Sequence, residues 1–331
     1  MDDRLARVRA RLSAAQKVLV VGHVRPDGDA ISSSAALALM LRRLGKEARA
    51  CIPDRIPCYF REIPGVEVIE GVDALRGWHP DTTVVVDSGS LERIGPAAEL
   101  LPTGKPDIVL DHHATNTGFG VLNLCDPSYP ATSLLIYRLA KGWVPLDRHL
   151  AHLLLLGLAT DTGFFKYASV DARTLHAAGE LVALGGDLAG IAAAVLEHRS
   201  LAELKLLQKM LGTVTLEAEG KLAWGYVSAD MLRSLGLDQQ ASEGFVGELR
   251  NLRGVEVAIL FTEWPPGEVH VSLRSKGGVD VAELAARLGG GGHPRAAGCS
   301  FRGLPLPQAI ARVTQAALAA LARESPRSRQ G

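Results

Sequence analysis

Val18 to Ser34 reads VLVVGHVRPDGDAISSS, and the fold turns on how this stretch is read. Four apolar residues, Val18 to Val21, stop at Gly22. His23, Asp27 and Asp29 follow at once, broken by Pro26 and Gly28. A short apolar run with turn residues behind it is the sequence form of a buried parallel strand. Loops beyond the carboxyl ends of such strands are where open α/β sheets bind ligands. One imidazole and two carboxylates suit a divalent cation, manganese or zinc better than magnesium. The same residues also read as a helix start, with Asp27 or Asp29 as N-cap. A small-residue segment from Ala30 to Met40 predicts that helix, continuing through Ala35–Leu44 to a stop at Gly45. The triplet alone leaves both readings open.

Three further segments end the same way. Thr82 to Ser88 reads TTVVVDS, an apolar run closing on Asp87. The run beginning at Asp107–Leu110 closes on Asp111, His112 and His113. An apolar helix over Arg148–Thr160 runs into Asp161-Thr162-Gly163. Singly, Asp87 also fits a strand-end turn, His112 an outer supporting residue and Asp161 a helix-end turn. An acid at a helix C-terminus is disfavoured by the helix dipole, so Asp161 points toward function. Parallel strands put their carboxyl ends on one sheet edge, so these groups are expected to converge there.

The bulk properties narrow the function classes. The chain has 331 residues, 47% hydrophobic and 5% aromatic, so two domains with aliphatic cores are expected. Its 36 basic and 36 acidic residues cancel. That balance argues against a groove for long nucleic acid and for a small substrate or short oligomer. Cys51, Cys58, Cys125 and Cys299 form no C-x-x-C pair and read as free thiols in a reducing compartment. Neither a signal-peptide core nor a run of ~18 apolar residues is present, which predicts a soluble, cytoplasmic chain. Residues 1–186 form the first expected domain, 187–211 a helical linker, 212–325 a smaller α+β domain and 326–331 a frayed tail. In the second domain, a hairpin around Glu219-Gly220, strands at 255–262 and 268–275 and a helix at 281–288 precede Gly289–Gly292 and His293. Such a glycine run reads either as a flexible turn or as a backbone nest for a phosphate. Arg274 on the neighbouring strand suits phosphate contact. Arg25 and Arg295 read equally as surface or as helpers. Tyr167 has a weak substrate signal.

The order H-x-x-P-D-x-D-A, V-V-V-D-S, D-H-H-A-T and A-T-D-T-G-F resembles the DHH phosphoesterase superfamily. The segments Ser272–Ser275 and Gly289–His293 resemble its DHHA1 subdomain. The likeness is strongest to the NrnA-type nanoRNases, which also dephosphorylate 3′-phosphoadenosine 5′-phosphate (pAp). The resemblance implies an N-terminal α/β domain with a mainly parallel sheet flanked by helices, joined to a C-terminal α+β domain. It implies two Mn²⁺ ions, with Mg²⁺ or Co²⁺ as substitutes. His23, Asp27 and Asp87 would hold one ion. Asp29, Asp87, His112 and Asp161 would hold the other, with Asp87 bridging. His113 would serve the phosphate or the leaving oxygen, and Asp111 would orient an imidazole. Arg274, Ser275, Gly290, Gly291, Gly292 and His293 would hold substrate, with the cleft between the domains as its binding place. Short RNA oligonucleotides and pAp are the implied substrates. No membrane and no obligate protein partner is expected, and a homodimer is left open. A cyclic or linear dinucleotide phosphodiesterase is the alternative, then a RecJ-like single-strand exonuclease. A family II pyrophosphatase shares the first-domain motifs only, and a regulator with a decayed site would not keep the full ligand set.

Overall fold

The computed structural model describes residues 2–324, so the tail expected at 326–331 lies outside them. The chain divides into two units, one ending at His198 and the other beginning at Arg199.

The first unit runs α1 (Asp2–Ala14), β1 (Lys17–Val21), α2 (Gly28–Arg43), β2 (Glu47–Cys51), α3 (Cys58–Arg61), β3 (Ile69–Glu70), α4 (Val72–Leu75), β4 (Thr82–Val86), β5 (Ile108–Asp111), β6 (Leu122–Cys125), α5 (Thr132–Ala140), α6 (Arg148–Asp161), α7 (Ala172–Ala183) and α8 (Leu188–Leu196). Its six strands pair in parallel in the order β3-β2-β1-β4-β5-β6. Residues alternate between two buried faces. Val18 and Val20 join the core beneath α2, α5 and α6, whereas Leu19 and Val21 join a second core with Leu75, Ile94 and Ala97. Burial on both faces is why these strands read as unbroken apolar runs. Each such side chain contributes about 1.5–3 kcal/mol on leaving water. The chain winds outward from β1 to β3 and then returns to β4 on the other side. The winding therefore reverses between β1 and β4, where such sheets open a crevice beyond their carboxyl ends.

Several expectations shift. The edge strands β3 and β6 carry no apolar run long enough to be legible. Helix α2 begins at Gly28, earlier than the expected Ala30, because Asp27 accepts the backbone N–H groups of Asp29 and Ala30 at 3.1 and 3.0 Å. Segment 187–211 is divided between the units. Ile191 of α8 joins the first unit's core, while Leu206 and Met210 of the following helix join a core of the second.

The second unit contains α9 (Leu201–Leu211), β7 (Thr215–Glu217), β8 (Leu222–Val227), α10 (Ala229–Arg233), α11 (Phe245–Asn251), β9 (Val257–Glu263), β10 (Glu268–Ser275), α12 (Val281–Arg287), β11 (Gly291–His293), β12 (Ala296–Arg302) and α13 (Leu306–Glu324). Its sheet, β11-β12-β10-β9-β8-β7, is antiparallel except for the β8–β9 pair. The second half of the glycine run is thus an edge strand, not a loop. A Cβ on Gly290 would lie 2.1 Å from the Gly298 carbonyl oxygen, and one on Gly292 would lie 2.6 Å from that of Ala296. Close backbone approach alone requires glycine at both positions. Among the described residues no single helix is long and apolar enough to cross a membrane.

Small residues bring α2 and α6 together under the β1–β4 crevice. A Cβ on Gly28 would meet the Thr160 side chain at 2.4 Å. A Cβ on Gly157 would meet Ser32 Oγ at 2.1 Å, Asp29 Oδ1 at 2.5 Å and Ser133 Cβ at 2.7 Å. None of these neighbours is a flexible chain end. Gly157→Ala is therefore expected to destabilise the protein by about 1–3 kcal/mol, the usual penalty for overpacking. Denaturant unfolding checks this, and an unchanged midpoint would contradict the packing argument.

Candidate metal centre

The groups at the carboxyl ends of β1, β4 and β5 meet in the crevice. His23 follows β1 and is almost fully buried. Its Nδ1 lies 2.8 Å from the Val24 carbonyl oxygen and 3.1 Å from Nη2 of Arg93. With Nδ1 engaged by these two groups, Nε2 is left open for a ligand. That Nε2 is 3.8 Å from Asp27 Oδ2 and 3.6 Å from Asp87 Oδ2. Asp27 is both a cap and a neighbour of the imidazole, because Oδ1 accepts the helix N–H groups while Oδ2 faces His23.

Asp87 follows β4 with a φ of +54°, a left-handed conformation that Asp tolerates better than most residues. Its backbone N–H donates to the Leu110 carbonyl at 2.9 Å, which fixes the turn. Its second oxygen, Oδ1, lies 3.5 Å from His112 Nε2 and accepts the Thr132 hydroxyl at 2.9 Å. His112 Nδ1 sits 3.1 Å from the Tyr129 carbonyl oxygen, so the proton belongs on Nδ1 and Nε2 faces the crevice. That Nε2 is 3.2 Å from Oδ2 of Asp161, the last residue of α6. Two of the clusters that result are His23 with Asp27 and Asp87, and Asp29 with His112 and Asp161. Within each, one candidate ligand atom per residue lies within 4.8 Å of the others.

Asp29 is buried in the first turn of α2. Its Oδ2 accepts the Thr132 N–H at 2.6 Å, and its Oδ1 accepts the Ser133 N–H at 3.0 Å and the Ser33 hydroxyl at 3.3 Å. His113 stands beside the clusters. Its Nδ1 is 2.7 Å from Oδ1 of the fully buried Asp111. Asp111 Oδ2 accepts the Asn116 amide at 2.6 Å, and the same amide donates to the Ser88 carbonyl at 3.0 Å.

The charges do not balance within this cluster. Burial, followed by the charge of Asp87, pushes the Asp29 carboxyl up to about 7. Burial and then the charge of Asp29 raise Asp161 well above the usual carboxylate range. Asp87 goes the other way. Burial opposes its ionisation, but the polar contact with His23 and the charges of His113, His112 and His23 hold it low. Burial disfavours the charged imidazoles of His112 and His113. Asp87, Asp29 and Asp111 around the first, and Asp111 and Asp87 around the second, nevertheless raise both. Buried carboxylates crowded this way take up protons or cations. Oxygen and imidazole donors of this mix fit divalent cations.

Sequence reasoning missed the supporting groups: Thr132, Ser133, Tyr129, Arg93 and Asn116. Only Asn116 had a signal, lying close behind Asp-His-His. Arg274 on β10 and His293 on β11 both pair with Ala296 of the intervening β12. Arg274 is half-buried and donates through Nη1 to the Leu273 carbonyl at 3.0 Å. Ser275 is fully buried, and its hydroxyl oxygen accepts the Gly277 N–H at 3.0 Å. Gly291 is exposed. Arg25 is exposed with a φ of +52°, its N–H donating to Asp54 at 2.6 Å.

Comparison with known proteins places both units. The profile of the DHH family's N-terminal domain matches residues 17–158, and that of the DHHA1 domain matches residues 221–323. A Thermus thermophilus protein named bifunctional oligoribonuclease and PAP phosphatase NrnA is 36% identical over 301 residues, which cover 90% of this chain and 88% of the relative. A probable manganese-dependent inorganic pyrophosphatase of Streptococcus agalactiae is 29% identical over 178 residues, 51% of this chain and 56% of its own. Among solved structures, an exopolyphosphatase-related protein from Bacteroides fragilis superposes with a TM-score of 0.87 at 25% identity, covering 98% of this chain and 97% of that one.

The raised carboxyls set the direction of a pH effect. Asp29, at about 7, carries a proton at pH 6 in the metal-free protein. A cation must displace that proton, so its affinity falls as pH drops. Mn²⁺ at a fixed concentration is expected to raise Tm more at pH 8 than at pH 6. Equal shifts at both values, measured by calorimetry, would contradict the site.

Proposed function

This chain belongs to the DHH family, and on that premise we propose a metal-dependent phosphoesterase that hydrolyses short oligoribonucleotides to mononucleotides and pAp to AMP. The observation that carries the reading is the Asp87 carboxylate. One oxygen lies 3.6 Å from His23 and the other 3.5 Å from His112, so a single side chain faces both clusters. We assign two Mn²⁺ ions to them, with Mg²⁺ or Co²⁺ as substitutes. His23, Asp27 and Asp87 would hold one ion, and Asp29, Asp87, His112 and Asp161 the other. Two such cations supply the charge that lowers the pKa of an attacking water and offsets charge on the entering and leaving oxygens.

The protein's own groups then have definite tasks. The Tyr129 carbonyl oxygen takes the Nδ1 proton of His112, and Val24 and Arg93 engage Nδ1 of His23, which turns both Nε2 atoms inward. Asp111 holds the proton on Nδ1 of His113 and aims that ring as a donor to the phosphate or the leaving oxygen. No side-chain nucleophile is required. In the second unit, Arg274, His293 and the glycine edge at Gly290, Gly291 and Gly292 would take nucleotide phosphate, with Ser275 shaping the Gly277 turn beside Arg274. The whole-chain likeness to the NrnA relative favours a nucleotide substrate over pyrophosphate, because the pyrophosphatase likeness stops at about half the chain. The zero net charge argues against long single strands and so against the RecJ-like alternative.

The test is a kcat/KM comparison, with Mn²⁺, across RNA dimers to long oligomers, pAp, cyclic dinucleotides and pyrophosphate. RNA dimers to short oligomers and pAp are expected to lead, and a preference for cyclic dinucleotides or pyrophosphate would overturn the reading. Asp87→Ala should abolish turnover with the fold retained. Arg274→Ala should raise KM about tenfold, roughly the loss of one charge-assisted hydrogen bond. Unchanged kinetics in either variant would remove that residue from its assigned place.

A further inference from the structure

Helix α5 begins at the metal centre without a cap of its own. Its N-cap residue is Ala131, and no side chain from that position reaches back to the first turn. The first backbone N–H groups, from Thr132 and Ser133, instead donate to the Asp29 carboxylate of α2. Thr132 makes one more contact. Its hydroxyl lies 2.9 Å from Asp87 Oδ1. The hydroxyl is the donor and the carboxylate oxygen the acceptor. Thr132 is fully buried, with no water-exposed alternative for that group.

We propose that Thr132 is a positioning residue that couples the two halves of the metal centre, its N–H fixing Asp29 and its O–H fixing the rotation of the Asp87 carboxylate. This inference rests on the two-cation reading above. The geometry defines the task. Asp87 must present Oδ2 to His23 and Oδ1 to His112 at the same time. A carboxylate is free to turn about its Cβ–Cγ bond, and a turn of a quarter circle would aim neither oxygen at either cluster. Two imidazoles also face Oδ1, His112 at 3.5 Å and His113 at 3.9 Å, both beyond ordinary hydrogen-bond distance from it. The Thr132 hydroxyl is the donor at bonding distance, and it selects the orientation. The same residue's N–H sits 2.6 Å from Asp29 Oδ2 in the other cluster, so one residue at a helix start sets both carboxylates.

Thr132→Val removes the hydroxyl, keeps the shape and leaves the N–H to Asp29. Thr132→Ser keeps the hydroxyl and removes the methyl. The primary readout is Mn²⁺ binding to the purified full chain, by calorimetry and by electron paramagnetic resonance. Wild type and Thr132→Ser are expected to show the signal of a spin-coupled manganese pair. Thr132→Val should lose that coupling and bind the pair about 10- to 100-fold more weakly, the usual effect of losing an outer-layer partner. In turnover, kcat should fall with KM nearly unchanged. If the valine variant does not fold, Thr132→Ala carries the same expectation. A valine variant with the wild-type coupled signal, or a serine variant as impaired as valine, overturns the proposal, and so does a loss of Tm with binding unchanged. A wild type that binds the manganese pair but cleaves no nucleotide would defeat the functional reading instead, because the binding comparison still tests Thr132.

Discussion

Four carboxylates, Asp27, Asp29, Asp87 and Asp161, share one crevice at the rim of a parallel sheet, and the architecture of the first unit answers that constraint. Two like charges at 4 Å repel by about 4 kcal/mol at an effective dielectric of 20. The protein meets part of this internally. The Asp29 carboxylate accepts two backbone N–H groups from the start of α5 and a serine hydroxyl. A carboxylate with several such donors ordinarily titrates well below its free value. Asp29 titrates near 7 instead, because burial and the charge of Asp87 outweigh the donors. The hydrogen bonds orient the group without neutralising it. The remaining negative charge is what a divalent cation would compensate.

Holding such groups in place needs a rigid frame, and the sheet order supplies it. His23 and Asp87 follow the two strands between which the winding reverses, the place where such sheets open a crevice. Asp161 arrives from α6, which can approach α2 only because Gly28 and Gly157 lack side chains. The serines and alanines of α2 are buried for the same reason. Asp87 takes a left-handed backbone, a conformation that persists only where surrounding contacts over-determine it. Here those contacts are the Leu110 carbonyl and the Thr132 hydroxyl.

What was legible in the sequence was the part written in residue types. Apolar runs ending in Asp or His marked β1, β4 and β5 and named the groups that converge there. The edge strands were illegible: β3 has two residues, and Leu122–Cys125 alternates too little to register. The supporting layer was illegible for a different reason. Val24 and Tyr129 act through carbonyl oxygens, and Ser133 through its N–H, which every residue but proline possesses. Thr132 meets Asp29 across 103 positions, a pairing that local periodicity does not encode. The glycine run answers a second demand as well. Its composition suggests a phosphate nest, yet strand packing alone requires Gly290 and Gly292.

Asp27 and Asp29 show why local reading stalls at such a site. From sequence, cap and ligand are rival explanations for an acid before a helix. In the structure they are one arrangement. Asp27 caps α2 with Oδ1 and turns Oδ2 toward His23. Asp29 caps a different helix, α5, from within the first turn of α2. A capping carboxylate is already desolvated on one side, oriented by N–H donors and set in the positive field of a helix start. Those conditions keep the second oxygen fixed and aimed. An acid that caps a helix at the carboxyl end of a parallel strand is thus preorganised to face a cation, and the capping signature adds to a ligand assignment there instead of competing with it.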